Sequence, residues 1–446
     1  MRKAKIICTI GPATASVTVI EKMIKSGMDV ARLNFSHGSH EQHGETLERI
    51  RQISRKNDSP VAVLQDLKGL KIRVGALKGG SVVLKKNSTL ILTTKKIEGS
   101  GGEVPVSYRH LAKDVNPGDR ILMDDGLIHL KVTGKEKGKV VTKVIEGGIL
   151  KEKKGVNLPG TKISGEVFTA KDREALEFGI RMGIDYVAMS FVRSGQDIRQ
   201  VKNWLRGKNA DIPVIAKIEN RQALDNIDEI ITEADGLMVA RGDLGVELPA
   251  ERVPLIQKDL IERCNAAMKP VITATQMLES MTEHSTPTRA EAADVANAVL
   301  DGTDALMLSA ETSVGRYPVD ALKMMDRIIR FTEESKPVKH TGDIVSNSFA
   351  QALAESACSS AADINAKAVV AFSRTGFTSL LVSKFRPSVP VICFTADENM
   401  RRRMSLYRGV SPYIMKFPGN TDEMISESER ALLRKKLVRK GESIVI

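Results

Sequence analysis

The sequence predicts an α/β fold: a (β/α)8 TIM barrel with an inserted small β-barrel lid domain and a C-terminal open α/β domain. Three observations predict it. Eight near-continuous apolar runs alternate with amphipathic helical stretches, the pattern of a parallel sheet covered on its faces. One gap between these runs is longer than a hundred residues and differs in composition. After residue 337 the alternation starts again.

The eight runs are AKIICTI, DVARLNF, VAVLQD, YVAMSF, VIAKIE, GLMVAR, PVITAT and ALMLSA. Eight strand–helix units are the signature of a closed barrel. Stretches such as SVTVIEKMIKSG, HEQHGETLERIRQISRK, DREALEFGIRMG, QALDNIDEIITEA and VPLIQKDLIERCNAAM lie between them. Most end in Gly or Lys/Arg, as helix C-termini do. The barrel is expected over residues 1–69 and 161–336. The interrupting segment, 70–160, is rich in Gly and Lys, with short runs such as SVVLKK, STLILTT, DRILMDD and KVVTKVI. It reads as a β lid inserted after the third barrel strand. Residues 337–446 alternate again through KAVVAF, TGFTSLLVSKF, PVICFT, DEMISESERALLRKKL and ESIVI, an open α/β domain that ends abruptly, inside a strand-like run.

Composition narrows the function. No apolar run approaches a membrane span, and the basic start MRKAKIICTIGP has too short an apolar run for a signal peptide. Cys8, Cys264, Cys358 and Cys393 form no CxxC pair. Buried, reduced thiols in a cytoplasmic protein are expected, without a zinc site. The net charge of +12 invites a nucleic-acid partner, yet the excess is local. Residues 70–160 carry 18 Lys/Arg against 9 Asp/Glu, with no aromatic pair on which bases would stack. A basic lid facing a polyphosphate accounts for the charge equally well.

Barrel chemistry sits at the C-terminal strand ends. In turn these offer Thr9; Arg32, Asn34 and Ser36; Asp66 and Lys68; Ser190; Lys217 and Glu219; Arg241 and Asp243; Thr275; and Ser309 and Glu311. Lys217 and Glu219, two apart in one strand, share a face. An ion pair at a frayed end explains two charges, but not eight polar ends around one mouth. Glu219 and Asp243 suit Mg²⁺, which takes few protein carboxylates and keeps water and substrate oxygens. Lys217 can stabilise a transferring phosphoryl group or an enolate, and Arg32 and Arg73 suit phosphate. The turn RGDLG offers backbone N–H groups for a carboxylate. Thr275 either anchors that carboxylate, lies on a proton path, or merely finishes its strand.

These residues resemble pyruvate kinase, through TIGPA, MDVARLNFSHG, GVNLPG, AKIEN, MVARGDLGVE, ITATQMLESM, PTRAEAADVANAVLDGTDALMLSAET and YPVDA, in that family's order over nearly the whole chain. The resemblance implies phosphoryl transfer from phosphoenolpyruvate to ADP, giving pyruvate and ATP. It implies that Arg32 and Lys217 grip the phosphoryl group and that Glu219 and Asp243 hold Mg²⁺ or Mn²⁺. Gly242, Asp243 and Thr275 are implied as the seat of the substrate carboxylate. Protonation of the enolate is implied to run through Thr275, Ser309, Glu311 and water. Asn34, Ser36, His37, Arg73 and Lys154 match nucleotide positions. The family's usual D-T-K-G-P-E-I-R here reads Asp66-Leu67-Lys68-Gly69-Leu70-Lys71-Ile72-Arg73. Members with the acidic residue bind K⁺ through positions matching Asn34, Ser36, Asp66 and the Thr that Leu67 replaces. Lys71 is expected to supply that charge, so that K⁺ is not required; a solvated hinge lysine is the alternative. The loop Ser373-Arg374-Thr375-Gly376-Phe377-Thr378 matches where phosphorylated effectors bind, although a TG turn is also ordinary capping. A homotetramer is implied; neither nucleic acid nor membrane is expected as a partner. The competing enzyme reading is a Mg²⁺-dependent barrel lyase acting on a pyruvate- or oxaloacetate-like acid.

Overall fold

The computed structural model describes residues 2–335 and 348–446. Eight parallel strands close into a barrel: Lys5–Thr9, Val30–Asn34, Ala62–Asp66, Tyr186–Met189, Val214–Ile218, Gly236–Ala240, Val271–Ala274 and Ala305–Leu308. Each lies in one of the eight predicted runs. They are buried on both sides, which is why they read as continuous rather than alternating. Ile7, Leu64, Ile215, Met238, Ile272 and Met307 fill the interior together, while Ile6, Val63, Val187 and Leu306 pack outward against the helices. Helices start where capping predicts: Ser39 with Gln42, Thr169 with Asp172 and Thr288 with Glu291 form capping boxes.

The third and fourth strands pair directly, Leu64 with Tyr186, although the lid separates them in sequence. Lid strands between Ser81–Leu84 and Val156–Asn157 form a two-stranded and a six-stranded sheet around their own core of Leu90, Leu92, Leu130 and Val144. The chain leaves the barrel at Gly69, whose φ is +63° and where a Cβ would meet the Ser190 carbonyl at 2.9 Å. Asp172 accepts from the Gly69 amide at 3.1 Å.

Beyond the barrel, a three-stranded parallel sheet, Val369–Phe372, Val391–Thr395 and Val410–Ile414, is flanked by helices. The run ESIVI adds only a bridge, Val445 to Val369. The expected boundary at 336–337 lies outside the described residues. This C-terminal domain covers the floor of the barrel, where the strands begin. Leu406 and Tyr407 pack against the barrel's interior residues, and Lys5 Nζ donates to the Val410 carbonyl at 2.8 Å. Asp304, just before the eighth strand, is buried against Lys384 and Arg386 of that domain.

Two elements differ from the sequence reading. The stretch QALDNIDEIITEA is two short helices, Arg221–Asp225 and Ile227–Glu233, meeting at Asn226. The segment expected as a turn, RGDLG, belongs to a helix, Arg241–Glu247. Arg241, expected at the mouth, instead turns its side chain onto the Thr275 and Gln276 carbonyls and Asp294. No helix among the described residues is long and apolar enough to cross a membrane.

Candidate active site

The second, third and fifth strands deliver Arg32, Asp66 and Lys217 to one place. Asp66, at the end of its strand, is the hub: it accepts from Arg32 Nε at 2.7 Å, pairs with Arg32 Nη2 at the same distance, and lies 3.2 Å from Lys217 Nζ. Lys217 Nζ also lies 2.8 Å from Glu219 Oε1 and donates to Ser190 Oγ at 2.7 Å. Ser190 in turn donates to the Leu67 carbonyl at 2.8 Å. Glu219 Oε2 accepts from the Phe191 amide at 2.7 Å, which Phe191 presents from a left-handed conformation, φ +56°. Arg32 Nη1 reaches Thr9 Oγ1 at 2.8 Å. The resemblance placed Asp66 among cation-site positions; the structure makes it the carboxylate that sets two cations side by side. Ser190 was expected at the mouth, but the Phe191 amide was missed, because nothing in YVAMSF shows a backbone amide turning inward.

Electrostatics follow from this packing. Burial opposes the charge on Lys217, but Asp66 and Glu219 outweigh it and hold the ammonium above its ordinary pKa. Burial also opposes the Asp66 carboxylate; Lys217 and Arg32 outweigh it and pull its pKa down. Glu219 is pushed up, first by burial and further by the charge of Asp243, against the pull of Lys217. A cation between Glu219 and Asp243 relieves that cost. The donor set therefore fits Mg²⁺ or Mn²⁺, as two hard carboxylates with room for other oxygens. Among the described residues no group of three or more His, Cys, Asp or Glu side chains is gathered for a metal.

A cavity of about 250 Å³ between lid and barrel is lined by Lys71, Asn157, Glu219, Asp243 and Glu247. Lys71 Nζ lies 3.9 Å from Asp243 Oδ1. Leu67 is packed into the barrel's core and offers no side-chain oxygen. His37 is exposed, and its pKa is lowered by partial burial and by the charges of Arg73, Lys71, Lys68 and Arg32, a basic cluster beside the mouth. Asn34 Oδ1 accepts from the Ser36 amide at 3.1 Å, and Arg73 Nη1 donates to the Lys153 carbonyl at 2.9 Å. Lys154 is drawn to the lid's own Asp124 at 2.7 Å.

The remaining residues are placed less simply. Thr275 Oγ1 accepts from the Gly242 amide at 2.8 Å and donates to the Ala274 carbonyl at 2.6 Å. One amide expected to hold a carboxylate is thus capped by the neighbouring hydroxyl. Glu311 accepts from the amides of Ser309 at 2.6 Å and Leu278 at 3.1 Å, and Ser309 Oγ is buried without a hydrogen-bond partner among the described residues. Among those residues, no direct hydrogen bond joins the side chains of Thr275, Ser309 and Glu311. Ser373 is buried in the C-terminal domain, while Arg374, Thr375 and Thr378 are exposed where the helix Phe377–Lys384 begins, after Gly376 at φ +79°.

Known proteins share this fold. The family model for the pyruvate kinase barrel domain matches residues 1–322, and that for the pyruvate kinase alpha/beta domain matches residues 351–446. A pyruvate kinase of Geobacillus stearothermophilus is 46% identical over 455 residues, covering 100% of this chain and 77% of that protein. One of Sporosarcina psychrophila is 44% identical over 456 residues, with the same coverage. A crystal structure of a pyruvate kinase from Cryptosporidium parvum superposes with a TM-score of 0.94 at 39% identity, covering 99% of this chain and 93% of that one. A barrel with its lid, a C-terminal α/β domain and matches along the whole length place the chain in the pyruvate kinase family, a family of phosphotransferases.

Proposed function

We propose that this protein transfers the phosphoryl group of phosphoenolpyruvate to ADP, giving pyruvate and ATP, with Mg²⁺ or Mn²⁺ and without K⁺. The observation that carries this reading is the buried pair Arg32 and Lys217, held side by side by Asp66 at the mouth of the barrel. An oxygen of the ADP β-phosphate attacks phosphorus, the bond from phosphorus to the enol oxygen breaks, and the enolate takes a proton at carbon. Catalysis of such a transfer is positioning and charge neutralisation. Lys217, kept charged by its two carboxylates, faces the phosphoryl group and then the enolate oxygen. Arg32 holds the phosphoryl oxygens. Gly242, Asp243 and Thr275 orient the substrate carboxylate, after Thr275 exchanges its bond to the Gly242 amide. Water reaching Ser309 Oγ completes the proton path from Thr275. The divalent ion, held by Glu219 and Asp243, supplies further charge neutralisation when bound.

Asn34, Ser36, His37, Arg73 and Lys154 meet the nucleotide, with Lys154 leaving Asp124 to do so. The lid closes over the site and excludes water as a competing acceptor. Lys71 stands in for K⁺: its ammonium is already beside Asp243, and Leu67 removes an oxygen ligand. A homotetramer, and a phosphorylated effector on the loop from Ser373 to Thr378, belong to the same reading. No feature of the site favours the lyase, which needs neither ADP nor a basic lid.

The test is pyruvate formation from phosphoenolpyruvate, ADP and Mg²⁺ in sodium or Tris buffer, with and without KCl at matched ionic strength. Equal rates are expected, and Lys71→Glu should make the rate depend on K⁺. A wild-type requirement for K⁺ overturns the role of Lys71; no pyruvate in either buffer overturns the reaction.

A further inference from the structure

Thr275 is held in a conformation that a threonine does not adopt by itself. Its φ is +67°, and that of Gln276 is +53°. For a β-branched residue this is a genuine outlier, and such conformations persist only where the surroundings over-determine them. The surroundings here are one dipeptide. The Arg241 side chain grips the turn's backbone: Nε and Nη2 donate to the Thr275 carbonyl at 3.2 and 2.7 Å, and Nη2 donates to the Gln276 carbonyl at 2.9 Å. The backbone of the next residue, Gly242, grips the Thr275 side chain through its amide. Both ends of Thr275 are therefore set by the first turn of the helix Arg241–Glu247.

Arg241 is itself fixed. Its Nη1 donates to Asp294 Oδ1 at 2.8 Å, with Oδ2 at 2.7 Å, and to Gln257 Oε1 at 3.2 Å. The guanidinium is a rigid planar fork, able to serve two carbonyls on one edge and a carboxylate on the other. A lysine ammonium keeps the charge but cannot span both sets.

We propose that Arg241 is a positioning residue for substrate: it does not touch the reacting atoms, but holds the Thr275 turn left-handed so that the Thr275 hydroxyl and the Gly242 amide meet the carboxylate in register. This rests on the phosphoenolpyruvate reading above. Asp294 and Gln257 support it from behind.

The experiment is steady-state kinetics of Arg241→Lys with phosphoenolpyruvate and ADP varied in turn, beside its thermal unfolding midpoint. The expected result is a fall of roughly 10²-fold in kcat/KM for phosphoenolpyruvate, the scale of a small misplacement at a reacting centre. KM for ADP should not change. In a Thr275→Ala background the same substitution should cost little more, because the two act as a unit. Asp294→Asn, the milder variant should Arg241→Lys fail to fold, should give the same split at a few-fold. A lowered midpoint with KM and kcat for phosphoenolpyruvate intact overturns the positioning role and leaves the reaction standing. Full additivity with Thr275→Ala also overturns it. Wild-type protein that forms no pyruvate overturns the reaction reading, and this role with it.

Discussion

The mouth and the floor of the barrel each bury cations against carboxylates, and they do opposite things with them. At the floor, one carboxylate, Asp304, serves two cations: Lys384 Nζ, and Arg386 Nη1 at 2.9 Å. Asn265 Oδ1 takes a bond from each, at 2.9 and 2.7 Å, and the Gly302 carbonyl takes another from Arg386 at 2.7 Å. The Lys384 side chain is 0% exposed. At the mouth, two carboxylates, Asp66 and Glu219, serve Arg32 and Lys217, whose side chains keep 11% and 10% of their surface toward the cleft. Burial opposes both ammonium groups. At the floor it wins, with Arg386 adding repulsion against the pull of Asp304, and Lys384 is pushed down to about 8. At the mouth the paired carboxylates win, and Lys217 is held above its ordinary value. A buried ion pair alone is weak evidence of function. One carboxylate for each cation and a residual opening distinguish the mouth from the closed floor, where one carboxylate serves two cations.

The sharpest way to break this comparison is to remove each lysine. Lys384→Met removes one of the two cations on Asp304 and one of the two donors to Asn265 Oδ1 in a closed joint. Breaking a buried pair costs roughly 3–5 kcal/mol, so denaturant unfolding should show a loss of that size while kcat of the folded enzyme is unchanged. A fall in kcat with stability intact would mean that the floor also takes part in turnover. Lys217→Met should reverse the pattern. Pyruvate formation should drop roughly 10²–10³-fold, the scale for one preorganised charge stabiliser, with a smaller loss of stability than at the floor. If Lys217→Met unfolds the protein more readily than Lys384→Met, the mouth cluster is also structural.

The seam between lid and barrel gives the smallest and finest test. Burial, with a further contribution from the charge of Asp243, pushes Glu247 up to about 7, against a hydrogen bond with Asn157 of the lid. The folded seam thus prefers the protonated form. Its contribution to stability is fully present below about 4.5 and is lost as pH rises through about 7. Discounted for partial exposure, this is on the order of 1 kcal/mol. Unfolding free energies of wild type and Glu247→Gln should therefore diverge between acid and neutral pH, with Glu247→Gln the flatter. Parallel curves would show that Glu247 titrates normally.

Much of this was legible in the sequence. The barrel strands were, because burial on both faces leaves no polar residue inside a run such as VAVLQD until its end. The lid was, because Gly and Lys replace that pattern. What the sequence hid is direction and conformation. Arg241 directly follows its strand and Lys217 lies near the end of its own, yet the Arg241 side chain turns onto the Thr275 and Gln276 carbonyls and Asp294. The left-handed backbone of Thr275 and Phe191 is met by contacts from residues remote in sequence, Arg241 and Gly242 for the one and Glu219 for the other, and local propensity argues against it. The break at Asn226 interrupts a stretch whose apolar spacing reads as one helix. The hub role of Asp66 needed three strands in register before it could be seen.

The direct pairing of the third and fourth strands has a consequence for how the chain assembles. Their partners, Leu64 and Tyr186, are more than a hundred residues apart, so this is the most remote neighbour contact in the barrel apart from closure of the first strand on the eighth. Contacts of that separation are slow to form from a disordered chain. The lid shortens the path. Its two ends meet, with the Val156 amide donating to the Ile72 carbonyl at 3.0 Å and Arg73 bridged to Gly155. A lid folded first hands both barrel segments on as near neighbours, and loop-closure cost grows with length by about 0.6 kcal/mol per doubling. The insertion is then expected to act as a splint while the barrel folds. Destabilising the lid core at Leu130 should slow refolding of the barrel more than it speeds its unfolding; stopped-flow refolding would show this directly.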